Sequence, residues 1–539
     1  GDADDRVWQA LLSDVQRSIG LERSAPANLP ALATVAAHAG PARETLLAVL
    51  AFDNLSSDAE MQYFSDGVSE DILGRIQRGS KLKVIGRTSS FQFRGADKAK
   101  AAAALKATHV LDGSIRRGGA KVRITASLTD VASQTSIWSD KYDRSLDDIF
   151  AVQDEISEAI AAALDSAFFP AEQAAIDPAA YDLYLRGKQA DADLQRNLHN
   201  LEMLQAAVRI VPDFADAWAM LGVKQFLLLM NTPWRERAAV RAQVEVSVQR
   251  ALARDPDNPT AAWVQSSMLA PFSDFLAHER AIQRLEQIGQ NSSDALASLG
   301  YLFACVGRVR DATAVARRAV ALDPLDRYAI SNAAIFLWQS GEYEAGLAAL
   351  TDAVEQDPDN QHNAVVLILA HAHARNWSDV ARLIDPARLA QYPLREYGEA
   401  IGLALALEKP HAEQAQQQLQ ASAWEADRSG HIDCAALLWL AELSSADETY
   451  ALADRCRLDP SGSPNDRLGV TAYRTNNLFF AGFAKLRADP RFVKLCARLG
   501  LVEYWLATQK WPDCADTVPY DFRAECEKYR DYPKDVFLA

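Results

Sequence analysis

Long apolar runs are missing from this chain. Nothing in it approaches the ~18 consecutive apolar residues of a membrane helix, and no charged-then-apolar leader stands at its start. Cysteine is scarce: six in 539 residues, with no C-x-x-C pair. That spacing excludes a disulfide scaffold and gives no zinc site. Basic charge is in deficit, with 56 Lys and Arg against 72 Asp and Glu, a net −16. A non-specific nucleic-acid binder needs a basic face, so direct nucleic-acid binding is not expected. Also absent are G-x-G-x-x-G, a Walker loop and a G-x-S-x-G elbow. No nucleophile triad can be assembled, so the chain is expected to be non-catalytic, without cofactor or metal.

What the chain has is a period. "ALDPLDRYAI" and "EQDPDNQHNA" place Pro324 and Pro358 34 residues apart, and Pro256 lies twice that interval before Pro324. Pro212 precedes Pro256 by 44, one period plus an insertion of 10 around Pro233. The missing anchor falls at Gln290, in a polar turn-like stretch. A 34-residue period is that of a two-helix repeat. Between anchors, Leu296, Leu299 and Phe303 recur at helical spacing. Gly300 and Ala312 fall where two helices of a hairpin would touch, and Ala319 sits in the second helix. Proline then ends the second helix, lacking an N–H and crowding the preceding turn.

The N-terminal part reads differently. "LLAVLAF" is a buried strand, and Phe64, Val68, Ile72 and Ile76 form one helix stripe. "LKVIG" is a second strand and "DKAKAAAALKA" a second helix. "THVLDGSIRRGGAKVRITASLTD" is a hairpin turning at Gly118-Gly119, with Val122, Ile124 and Leu128 alternating with polar residues. "TSIWSDKYD" is a further strand, and a long helix starts near Leu146.

The repeat frame, clear from about Asp177 to Tyr392, resembles the tetratricopeptide repeat (TPR) family. The stretch from "LAVLAFDNLSSDAEMQYFSDGVSEDILGRI" through "SIWSDKYDRSLDDIFAVQDEI" resembles the TolB-like N-terminal domain. The tail "GLVEYWLATQKWPDCADTVPYDFRAEC" is similar to the C-terminus of proteins that combine the two. The resemblance implies an α/β domain with a mixed sheet, followed by an all-α superhelical solenoid. It also implies a bacterial regulator attached to a winged-helix domain or a class III adenylate cyclase. The expected division is 1–44, helix and Ala/Pro-rich linker; 45–170, α/β domain; 171–395, repeats; 396–539, degenerate repeats and cap. "DRVWQALLSDVQRSIG" resembles the last helices of a bacterial transcriptional activation domain and equally reads as a juxtamembrane linker. Since the sequence begins "GDADDRVW" without Met, an output domain or membrane tether is expected before residue 1.

In the repeat family, set positions of each first helix line a concave groove. Carried onto this sequence, these are Tyr301 and Cys305; then Tyr328, Ser331, Ile335, Trp338 and Gln339; then His362, Val365, Leu369 and His373. A lining of mixed aromatic and polar residues suits a protein or peptide segment. The competing reading is that Trp338 and Tyr328 pack against a neighbouring repeat or the N-terminal domain. The expected function is a sensor or docking module of a signalling or transcriptional regulator; the alternatives are the regulatory half of an adenylate cyclase and an envelope scaffold.

Other clusters have plainer readings. Asp66, Glu70 and Asp71 in "SDGVSED" read as a helix N-terminus with Asp66 as cap, rather than an acid/base or metal site. Arg116, Arg117 and Lys121 read as a solvated turn. His371 and His373, two apart, point to different faces of a helix and cannot share a metal. His431 and Cys434, three apart, read as a buried structural pair. Cys514 and Cys526 flank a proline-punctuated segment where a crosslink closing about a dozen residues would contribute roughly 3 kcal/mol. They are expected to be bonded, which would place this part of the chain on the periplasmic side of the inner membrane; the alternative is two reduced cysteines in the cytoplasm.

Overall fold

The computed structural model describes residues 45–535 except 57, 59–60, 165, 169–175, 190–193, 231, 233–236, 270–273, 289–291, 357–360, 386–402, 412, 433, 459–474 and 481–482. The readings of residues 1–44, Pro233, Gln290, Pro358 and the end of the repeat region near Pro393 lie outside the described residues.

A mixed sheet comes first, then helices. The strands are β1 (Leu46–Val49), β2 (Asp53–Asn54), β3 (Lys83–Val84), β4 (His109–Gly118), β5 (Lys121–Asp130) and β6 (Thr135–Ser145). Their order is β3-β1-β4-β5-β6, with β2 also beside β4. β1 runs parallel to β3 and β4, while β4, β5 and β6 form an antiparallel meander. Alternation fixes the faces: Val122, Ile124, Ala126 and Leu128 are buried, and Lys121 and Arg123 are exposed. Helix α1 (Gln62–Gly79) and helix α3 (Ile149–Ala163) bury their stripes on the sheet; α2 (Lys98–Ala104) packs Ala101 on the other side. α1 starts earlier than the acidic cluster suggested. Met61, not Asp66, is its N-cap, and Asp66, Glu70 and Asp71 lie inside the helix.

The repeat region follows as helical hairpins: α4 (Pro178–Gly187) with α5 (Leu194–Ile210), α6 (Ala215–Met230) with α7 (Arg237–Arg254), α8 (Pro259–Ser267) with α9 (Phe275–Ile288), α10 (Ser293–Cys305) with α11 (Val309–Leu322), α12 (Arg327–Gln339) with α13 (Tyr343–Gln356), and α14 (Gln361–His373) with α15 (Trp377–Leu383). Pro212, Pro256 and Pro324 lie in the turns just after α5, α7 and α11. The next helix is then started by a side-chain cap: Asn258 accepts from the Ala261 N–H at 3.0 Å and Asp326 from the Tyr328 N–H at 2.9 Å. Gly300 meets its partner helix as the spacing predicts. A Cβ there would lie 3.3 Å from the Ala312 carbonyl oxygen and 3.2 Å from the Phe336 ring.

The α/β domain and the first hairpins share one core. Phe150 of α3 makes edge contacts with Tyr181 (5.3 Å) and Phe214 (6.1 Å), and Leu204, Val208 and Leu221 belong to the same cluster as the sheet residues.

At the far end, α16 (Glu413–Ser429), α17 (Cys434–Leu443), α18 (Ala446–Arg455), α19 (Arg491–Arg498), α20 (Leu501–Thr508) and α21 (Phe522–Lys528) surround a second core. A small parallel pair joins His431–Ile432 to Arg457–Leu458. Trp505, Tyr504 and Phe492 are fully buried there. This C-terminal unit grips the repeats at the α10–α11 turn and at α9. The Trp505 indole N–H donates to Val306 O (3.0 Å), Tyr504 OH donates to Glu279 (2.9 Å), and the Asp513 N–H donates to Gly307 O (3.0 Å). Gly307 sits at φ 82° with Phe479 and Pro512 against it, so both its backbone angle and its lack of a Cβ are used. Among the described residues, no helix is long and apolar enough to cross a membrane.

Candidate functional site

The expected groove residues sit on α10, α12 and α14, but they do not form one open surface. Tyr328, at the start of α12, is 53% exposed. Ser331 and Ile335 are buried, and the Ser331 hydroxyl donates to Asn363 on α14. Trp338 is only 3% exposed. Its ring lies 5.6 Å from His373 and 5.3 Å from Phe480, a residue of the C-terminal unit. Gln339 is half-buried, and its amide finds no hydrogen-bond partner among the described residues. Tyr301, Val365 and Leu369 are half-buried and pack on the apolar clusters of the array. Cys305 is buried, which pushes its thiol up to about 12, and its carbonyl accepts from Thr475 of the C-terminal unit. The side chain of His362 lies outside the described residues.

The lining expected at Ile335, Trp338 and His373 is therefore corrected. The C-terminal unit fills this end of the groove. The physical reason is the indole itself: a large apolar ring at the end of α12 is stabilised by cover, and Phe480 supplies that cover.

His373 anchors the same closure. Its Nδ1 meets Leu369 O at 2.7 Å and its Nε2 meets a Glu442 carboxylate oxygen of α17 at 2.5 Å. Both partners are acceptors, so both ring nitrogens carry protons. Burial pushes the imidazolium down, but the Glu442 hydrogen bond and charge outweigh it, leaving His373 above the ordinary histidine value. His371, two residues earlier, faces Asp379 at 3.9 Å, so the two histidines diverge as expected. His431 is exposed, not half of a buried pair. Among the described residues, no three His, Cys, Asp or Glu side chains gather as a metal set.

Two joints hold the α/β domain to the repeats, and both use residues that the sequence suggested for other roles. At the first, Asp71 of α1 accepts from Tyr181 OH (2.6 Å) and from the Lys188 ammonium (2.9 Å), just past α4. Glu70 stands 3.5 Å from the same ammonium, and Gln153 of α3 donates to Tyr181 OH at 2.9 Å. Burial alone would lower Lys188, yet Asp71 and Glu70 hold it well above the usual lysine value. Beside this cluster, Arg117, near the end of β4, pairs with Asp182 at 2.6 Å and lies over the Phe64 ring at 4.8 Å, so it is not a solvated turn residue. Arg116 reaches Leu55 O instead.

The second joint lies far along the array. Asp323, the aspartate of the Asp-Pro step after α11, is buried. It accepts from the Ser89 N–H at 2.7 Å and from the Ser89 hydroxyl. The Gly86 N–H donates to Leu322 O (2.7 Å), and the Leu325 N–H donates to Ser89 Oγ (2.7 Å). A Cβ on Gly86 would overlap the Asp323 carboxylate, so only glycine fits there. The periodic spacing revealed Asp323 as punctuation. A partner 234 residues earlier leaves no trace in spacing.

Cys514 and Cys526 are free thiols, so the expected bond is not formed. The segment is ordered by packing instead. Phe522 is buried between Trp505 (5.2 Å) and Trp511 (6.5 Å), and Cys526 is buried on α21. Burial pushes both thiols up to about 12, which makes them poor nucleophiles. The periplasmic placement that rested on the bond loses that support.

No protein-family model matches the chain. Over 195 residues it is 40% identical to "Putative adenylate cyclase 3" of Rhizobium meliloti (strain 1021), covering 34% of this chain. The matched stretch spans 33% of that relative's length. Solved structures similar to the chain include a thermophilic TPR protein of Thermus thermophilus (20% identity, 36% of this chain and 98% of that one, TM-score 0.29). Another is PilF of Pseudomonas aeruginosa (19% identity, 45% and 97%, TM-score 0.31). A third is YrrB, described as a TPR protein with an unusual peptide-binding site (16% identity, 37% and 91%, TM-score 0.25).

Proposed function

We propose that this chain is the non-catalytic regulatory part of a bacterial signalling protein. In this reading a TolB-like α/β domain is fixed to a TPR-type array that docks a protein or peptide segment. The observation that carries it is the pair of buried joints, Lys188–Asp71 and Asp323–Ser89, which make sheet and repeats one body. A segment seated on the repeats is thereby felt by the α/β domain. The docking surface in this reading is the open part of the array at Tyr328, because Trp338 and His373 are already covered.

A cyclase-linked role is favoured over a winged-helix one by the 40% identity to a protein named as an adenylate cyclase. The test has two arms. The purified chain incubated with ATP and divalent metal should form no cyclic AMP. A photo-crosslinking amino acid at position 328, in cells of the source organism, should capture a discrete protein adduct that the same group at the exposed Trp424 does not. Cyclic AMP production by the chain, or identical adducts at both positions, would overturn the reading.

A further inference from the structure

The two edges of the sheet differ. β3 is two residues long, and the repeats cover the chain that leaves it: the Gly86 N–H bonds to Leu322 O, and Leu325 packs on the Ala48–Ile85 cluster. β6 is 11 residues long. It pairs with β5 on one side and with no strand on the other among the described residues. Leu128 pairs with Trp138 and Thr129 with Ser136, so Ile137, 44% exposed, is left out of register as a bulge, and the regular stretch runs from Trp138 to Ser145. A long open edge is a template for another strand unless something deters pairing.

Among the self-pairings centred on its charged run, residues 140–144, the charges deter four and match one. The central run is Asp140-Lys141-Tyr142-Asp143-Arg144. Two identical strands pair antiparallel about a twofold axis normal to the sheet, so residues opposite each other share a face, and each register is defined by the residue that meets itself. With Tyr142 on the axis, Lys141 faces Asp143 of the second copy on one face, and Asp140 faces Arg144 on the other. With Asp140, Lys141, Asp143 or Arg144 on the axis, like charge meets like charge. With Ser139 there, Ile137 meets Lys141. Opposite charges set directly across a ladder stabilise it and like charges destabilise it. The present partners of these groups are Arg123 (2.5 Å) and Lys141 of the same strand (3.6 Å) for Asp143, and Glu155 for Arg144 (3.3 Å). All are exposed pairs of small net worth that can be shared with new neighbours.

We propose that β6 is a self-recognition edge: two copies of this chain join antiparallel through β6, Tyr142 against Tyr142, into one sheet that runs through both. The edge that no described strand covers and the charge pattern of residues 140–144 both point to a strand with the same sequence rather than to an uncharged one.

Sedimentation equilibrium of the whole chain tests it. The expected mass is twice 59.1 kDa at concentrations up to roughly 100 µM. Asp140→Lys/Asp143→Lys and Lys141→Asp/Arg144→Asp should each weaken self-association at least about tenfold. Mixed in equal amounts, the two variants should dimerise again, because each supplies the charge the other has lost. All four positions are surface residues, and circular dichroism checks that the fold survives. A wild-type monomer throughout this range, a dimer indifferent to both variants, or a mixture that stays monomeric overturns the proposal. The wild-type measurement stands whether or not the variants fold.

Discussion

Lys188 shows how much can rest on one enclosed charge. Its ammonium is shared by Asp71 and Glu70 and lies against the Tyr184 ring at 5.0 Å. Lys188→Met would leave the Asp71 carboxylate enclosed without its cation, while Glu70 keeps Arg87 at 2.8 Å. The expected cost is about 3–5 kcal/mol, the range for removing one partner of a buried pair. Urea unfolding followed by tryptophan fluorescence would read it, and a midpoint unchanged from wild type would show the joint to be dispensable. His373 carries a pH-dependent contribution. Its folded value is raised, so its contact with Glu442 stabilises fully below the unfolded histidine value and is lost as pH rises through the folded one. The stability difference between wild type and His373→Gln should therefore shrink on going from about pH 6 toward pH 9. A difference that grows over that range would mean the ring is neutral in the fold.

The helices and strands themselves were largely legible in the sequence, because each has a period. The stripe of Phe64, Val68, Ile72 and Ile76 and the alternation of Val122, Ile124 and Leu128 both face the core. The close approach of Gly300 to Ala312 followed from repeat spacing alone. What spacing does not carry is which element covers which. Trp338 fits a groove-lining position, yet it lies beneath Phe480, which is supplied from 142 positions further on. The acids of "SDGVSED" suit a helix start, yet they sit mid-helix and reach Arg94, Arg87 and Lys188. Trp338→Ala is accordingly expected to act on stability, lowering it by about 3–5 kcal/mol as for other buried aromatics. Tyr328→Ala, at an open position, should stay within about 0.5 kcal/mol. Thermal unfolding of the two variants side by side checks the pair. Equal losses would mean that the two rings share one environment.

The described residues form three units held in series and tied back on themselves. The α/β domain touches the array at its first hairpin through Asp71–Lys188 and again past α11 through Ser89–Asp323. Asp323→Ala and Ser89→Ala should each destabilise. A double-mutant cycle should give a coupling of about 0.5–3 kcal/mol, as for residues in direct contact. Additive losses would show that the two groups do not act on each other.

That second tie has a mechanical consequence. A stack of helical hairpins behaves as a spring, in which each unit touches only its neighbours and the pitch can stretch a little at every step. Here a strut spans the coils from α4 to Leu322, so the intervening turns cannot lengthen one at a time. Pulled from its ends in an optical trap, the spanned portion should hold its length and then give way in one abrupt step. With Asp323→Ala the strut is cut, and the same portion should pay out in several smaller ones.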